Sequence, residues 1–148
     1  MAGKNKGVRW FDEEDFTPEH DSMMLDMVEN HVSYLTAHIK KIYGVFLFEF
    51  HSTVKVEPII KGYPNVFPDV EINYWNEKGQ INVVIEIKPT IQNCGAVMRQ
   101  MRIYMERYKS PSGGENHFIL FTKETKYDKL FEDQGILVVH PREEEVFE

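Results

Sequence analysis

Apolar residues Val28, Val32, Leu35, Ile39 and Ile42 fall three to four positions apart. That spacing predicts a helix with one face turned to a core. Thr17-Pro18-Glu19 marks its start, with a capping hydroxyl, a proline in the first turn and an early acid. Gly44 marks its end. The apolar and aromatic run from Val45 to Phe50, continuing towards Val56, predicts a strand, and Gly62, Pro64 and Pro68 predict the loop after it. Asp69–Trp75 and Ile81–Lys88 alternate as strands do, with Asn76-Glu77-Lys78-Gly79 as a four-residue turn. Asn93 and Gly95 open a second helix that runs through Tyr108, and the Ser-Pro-Ser-Gly-Gly stretch after it breaks it. Phe118–Thr122 predicts a strand, Tyr127–Asp133 a helical turn and Ile136–Val139 a last strand. No internal repeat or low-complexity tract is present. The order predicts a mixed α/β fold, helices on a central sheet. One domain over 1–148 is expected, with an irregular arm at 1–16 and an acidic tail at 141–148.

Strand side chains alternate between faces, so the pattern also predicts which residues meet. Ile81, Val83, Ile85 and Ile87 share one side of their strand, which turns Glu86 and Lys88 to the other. Val70, Ile72 and Tyr74 are the apolar side of the preceding strand, leaving Asp69, Glu71 and Asn73 opposite. A turn with an even number of residues pairs odd positions with even ones and puts both apolar sets in one core. Asp69, Glu86 and Lys88 are then expected to emerge together.

Composition changes this picture little. At 148 residues, 42% hydrophobic and 28% charged, the chain is of ordinary globular make-up. Cys94 is the one cysteine, which excludes an internal disulfide and a cysteine-based zinc site. No apolar run follows the basic N-terminal residues and no stretch is long enough to span a bilayer, so a reducing, intracellular (cytoplasmic) setting without a membrane is expected. The net charge of -7 weighs against a nucleic-acid ligand, because phosphate contacts come from Lys and Arg. Much of the acid lies at the ends, at 12–15 and 143–148, and bound cations can supply positive potential.

Two carboxylates and an amine on adjacent strands suit metal-assisted hydrolysis of a phosphodiester. Mg²⁺ takes carboxylate and carbonyl oxygens and completes its shell with water and substrate phosphate. Asp69 and Glu86 are the expected ligands, with the backbone carbonyl of Ile87 as a further one. Lys88 is placed to orient the attacking water or to stabilise developing charge. A Glu-x-Lys on a strand is by itself an ordinary ion pair, and Asp after Pro an ordinary way to begin a strand. It is their joint placement that carries meaning.

Pro68-Asp69 followed by Glu86-Ile87-Lys88 across a hairpin resembles the signature of the PD-(D/E)xK nuclease superfamily. The resemblance implies a restriction-endonuclease-like core, a central mixed sheet flanked by helices in the order α-β-β-β-α-β, which the elements from Thr17 to Thr122 match. It implies Mg²⁺ or Mn²⁺ as cofactor, Asp69 and Glu86 as metal ligands and Lys88 as catalytic lysine. Gln100-Met101-Arg102-Ile103-Tyr104 is similar to the Gln-x-x-x-Tyr motif of the RecB-like branch. By that likeness Gln100 supports the active site, while Tyr104, with Arg107 on the same ridge, lines the nucleic-acid path. Tyr104 also belongs to an apolar stripe with Val97, Met101 and Tyr108, which makes a core position the competing reading. The same branch draws an acid or histidine from its first helix, which singles out Glu29 as a metal ligand and His31 as an alternative. Glu71 is a further acid on the site face, and Arg99, Arg102, Arg107 and Lys109 make the second helix basic.

The function expected is a metal-dependent nuclease that hydrolyses phosphodiester bonds in DNA. The alternative is a nuclease-fold scaffold or subunit of a larger protein assembly, which binds nucleic acid or a protein partner without cutting on its own. Oligomeric state is not legible in the sequence.

Overall fold

The computed structural model describes residues 17–57, 68–108 and 113–142. The expected arm at 1–16, the loop at 58–67 and most of the acidic tail lie outside the described residues. The observed order is α1 (Pro18–Tyr43), a 3-10 turn (Leu47–Glu49), β1 (His51–Val56), β2 (Val70–Asn76), β3 (Gly79–Lys88), α2 (Cys94–Arg107), β4 (Glu115–Thr122), α3 (Asp128–Glu132) and β5 (Leu137–Val139). The fold is α/β, and its order contains α-β-β-β-α-β.

The first helix begins and ends where its signals lie. The Thr17 hydroxyl accepts from the His20 backbone N–H at 3.1 Å. Gly44 closes it in the left-handed region, φ 72°, and returns its N–H to the Lys40 carbonyl. A kink falls at Asn30, whose side-chain amide donates to the Asp26 carbonyl at 3.1 Å and so competes with the helical ladder. The buried stripe is not the expected one. It runs through His20, Met23, Met27, His31, Leu35 and Ile39, while Val28 and Val32 are half-buried and Ile42 is 56% exposed.

The five strands lie in chain order, β1-β2-β3-β4-β5. The first three form an antiparallel meander, and β4 and β5 add in parallel. Val70, Ile72, Tyr74, Ile81, Val83, Ile85 and Ile87 pack with α1 in one core. Val84, Leu120 and Val138 pack with Val97, Met101 and Tyr104 of α2 and with Phe131 of α3 in a second. The sheet is therefore covered on both faces, and every residue of β3 from Ile81 to Lys88 is buried.

Two expectations about the strands need correction. The run from Val45 to Phe50 is not strand: the Glu49 and Phe50 N–H groups bond back to Phe46 and Leu47, and β1 begins at His51. Aromatic composition there imitates a strand, but Leu47 alone of the run is fully buried, Val45 and Phe50 pack half-buried against the core, and Phe48 is 73% exposed. The turn between β2 and β3 is two residues long, because Asn76 and Gly79 still pair. The Asn76 side chain accepts from the N–H of Lys78 at 2.8 Å and tightens it. Two is even, as four is, so the parity survives: Val70 sits opposite Ile85.

Level across three strands lie Asn73, Asn82 and Asn116. Asn82 is fully buried and at the centre of this ladder. It accepts from Asn73 at 2.7 Å and donates to Asn116 at 3.1 Å and to the Gly113 carbonyl at 2.8 Å. A buried amide is tolerated when its donors and acceptor are met in this way.

Candidate active site

The pairing of β2 with β3 stops at Val70 and Ile85, and the next step of the register sets Asp69 level with Glu86. Asp69 is fixed by both its halves. Its carbonyl accepts the Glu57 N–H at 2.7 Å on the β1 side. Its carboxylate Oδ2 accepts the Ile87 N–H at 2.8 Å, standing in for the backbone partner that β3 would otherwise find. The N–H and carbonyl of a strand residue leave on the same edge, so the Ile87 carbonyl is directed to the Asp69 side as well.

Glu86 and Lys88 project from β3 on the α2 face, where the Lys88 ammonium lies 3.4 Å from Glu86 Oε2. The other oxygen, Oε1, accepts the Tyr104 hydroxyl at 2.8 Å. Gln100 in turn donates its amide to that hydroxyl at 3.0 Å. Asp69, Glu86, Lys88, Gln100 and Tyr104 are each no more than 2% exposed. Removing one partner from a buried ion pair such as Glu86–Lys88 costs about 3–5 kcal/mol. Burial, then the nearby negative charges of Glu86 and Asp69, hold the Tyr104 hydroxyl well above its usual range, so it stays a donor to Glu86.

The structure thus brings together Asp69, Glu86, Lys88 and Gln100 from three separate elements, with Ile87 between them. Two expectations fall differently. Tyr104 is fully buried, so it is a core residue whose hydroxyl positions Glu86 and not a wall of a nucleic-acid path; Arg107, on the last turn of α2, is exposed. Glu29 is exposed on α1 and lines a surface pocket with Asp26, Asn30, Lys123 and Arg142, away from the acidic pair. Helical phase explains this, since Glu29 lies outside the buried stripe.

His31 lies on that stripe but on the opposite face of the sheet from Glu86, bonded to the Tyr74 hydroxyl at 2.6 Å. Glu71 shares the site face and is engaged by the Tyr108 hydroxyl and, at 3.9 Å, by Lys55.

The residue that sequence reasoning missed is His20. Its Nε2 lies 3.2 Å from Asp69 Oδ2, and it is 2% exposed. The signal was present in the helical phase: 20, 23, 27 and 31 form one stripe once the two methionines are counted as core. Among the described residues no group of three or more His, Cys, Asp or Glu side chains is arranged to hold a metal ion. The donor set is two carboxylates and a carbonyl, hard oxygens that suit Mg²⁺ or Mn²⁺ and not a closed zinc site. The described helices include none long and apolar enough to cross a membrane. The chain matches no protein-family model, no curated protein and no solved structure.

Proposed function

We propose that the protein is a metal-dependent nuclease of the PD-(D/E)xK kind, close to the RecB-like branch, acting on DNA in an intracellular setting. One observation carries the reading: Asp69, Glu86 and Lys88 lie side by side where β2 begins and β3 ends, with Gln100 and Tyr104 bonded in series behind Glu86. Asp69, Glu86 and the Ile87 carbonyl would hold Mg²⁺ or Mn²⁺, which when bound supplies Lewis-acid charge and an acidified water. His20 orients the Asp69 carboxylate from the far side. Lys88 is held beside Glu86, where its charge can meet a phosphoryl oxygen.

Asp69→Asn, Glu86→Gln and Lys88→Met keep the size of each side chain. Each is expected to lower DNA cleavage by on the order of a hundredfold or more while leaving a folded protein. The check is hydrolysis of single-stranded, duplex and branched DNA by purified protein, with and without Mg²⁺ or Mn²⁺, beside the circular dichroism of each variant. Wild-type rates in the variants would remove the site.

The second reading, a nuclease-fold scaffold or assembly subunit, is favoured by the net charge of -7 and by burial of the whole acidic set. Wild-type protein inert on all three substrates, with either metal, would select it.

A further inference from the structure

The face of β2 that carries Asp69 continues away from it through Glu71, Asn73 and Trp75, since alternate residues share a side. Six residues of strand at ~3.4 Å each span roughly 20 Å. Register aligns Lys55 of β1 with Glu71 and His51 with Trp75. Whereas α2 covers β3 and β4 on this side, β1 here is exposed and Trp75 is 41% exposed. A groove results, lined by Lys55, Asn73, Trp75, Lys78 and Gln80, with Glu77 at its turn end. The His51 and Trp75 rings lie 5.5 Å apart at 34°. The asparagine ladder backs the groove: Gln80 and Asn73 both donate to Asn82 at 2.7 Å. Between the groove and Asp69 lie the buried Tyr108, 3.5 Å from the Asn73 amide, and the Glu71 to which it is bonded, two residues along the strand from Asp69.

An exposed indole beside an imidazole, side-chain amides and two lysines is the chemistry that holds unpaired bases and phosphates. Stacking needs a base face that a duplex keeps occupied, so the ligand class is a single strand. We propose that this groove binds single-stranded DNA, with a base on Trp75 and phosphates at Lys55 and Lys78, and leads the strand toward Asp69 and Glu86; the inference rests on the nuclease reading for its direction but not for its binding. It adds substrate selection to the site, which the acidic pair lacks because every phosphodiester is alike.

The test is titration of the full chain with a short thymidine oligonucleotide, read by Trp fluorescence in a Trp10→Phe background, which leaves Trp75 as the one emitter of two. Saturable quenching is expected, with weaker binding of a duplex of the same length. Trp75→Ala, which lacks the emitter, is compared with wild type by the anisotropy of a fluorescein-labelled copy of the oligonucleotide and should bind about five- to a hundredfold more weakly. Lys78→Gln, at an exposed turn and harmless to the fold, should lower the salt dependence of binding by about one phosphate contact. Equal affinity of wild type, Trp75→Ala and Lys78→Gln for the oligonucleotide overturns the groove. Duplex binding as tight as single-strand binding overturns it too. Quenching that persists in a protein unable to hydrolyse any phosphodiester supports the groove while defeating the nuclease reading.

Discussion

The Tyr104 hydroxyl sits between two groups that need it, accepting from Gln100 and donating to Glu86. Tyr104→Phe should leave both buried partners short of one bond, at a cost of about 1–3 kcal/mol. Tyr104→Ala adds a cavity and should cost about 3–5 kcal/mol. Because the ring touches no solvent, Tyr104→Phe should lower kcat and melting temperature while KM for DNA stays near the wild-type value. A rise in KM with unchanged kcat would return the ring to the substrate path. Asp69, Glu86, Lys88 and Gln100 were legible because alternation along a strand and spacing along a helix fix direction without any knowledge of contacts. His20 was not, because the first-helix stripe was drawn through valines while the buried phase runs through methionines and histidines. A polar residue on a buried phase is read from sequence as a break in the pattern. Here it lies 3.2 Å from Asp69.

At the scale of elements, the hairpin between β2 and β3 decides whether a site exists. Asp69 and Glu86 share a face because the turn holds an even number of residues, and that property survived although its length was misjudged. Inserting one residue between Glu77 and Lys78 should turn the Asp69 side chain to the α1 face or force a bulge. Inserting two should keep the faces. The one-residue variant is expected to lose both cleavage and cooperative unfolding, and the two-residue variant to keep them, as thermal melts and DNA hydrolysis would report. Equal behaviour of the two would mean that something other than turn parity sets the register. The first strand was placed too early for a different reason. Val45 to Phe50 has the composition of a strand, but composition does not say which residues can pair, and the chain spends those residues rounding the corner from α1.

For the whole molecule, the histidines set the response to acid. Burial pushes His31, His38 and His117 below the ordinary value of 6.5. For His140 burial also acts downward, but the hydrogen bonds it donates to the Asp128 carboxylate and the Thr122 carbonyl, with the charges of Asp128 and Glu132, outweigh it and raise the value. A lowered histidine binds fewer protons when folded than when unfolded. Its contribution is therefore complete above about 6.5 and is lost as pH falls through the window beneath. His140 has the opposite sign: its contribution is present below about 6.5 and is lost as pH rises through its higher folded value. Three against one, the melting temperature should fall between about pH 7 and pH 5, and Asp128→Asn should steepen the fall by removing the opposing histidine. A melting temperature that rises on acidification would reverse this assignment. The order of elements was legible because most are bounded by a capping residue, a glycine or a proline, whereas the residues that build the second core were not. Alternation marks one apolar face plainly, but Val84, Leu120 and Val138, the sheet's share of the second core, each stand in the middle of an unbroken apolar triplet, where alternation does not tell the two faces apart. The sheet also follows the chain from edge to edge, each strand beside its predecessor in sequence. In kinetic terms no strand waits for a distant one: two of the four pairings are made within the meander, and the other two close over one helix each. Such local wiring places the protein among topologies that fold quickly for their size. The Asp69–Glu86 juxtaposition is made by its shortest loop, while His20 and Tyr104 arrive with the helices.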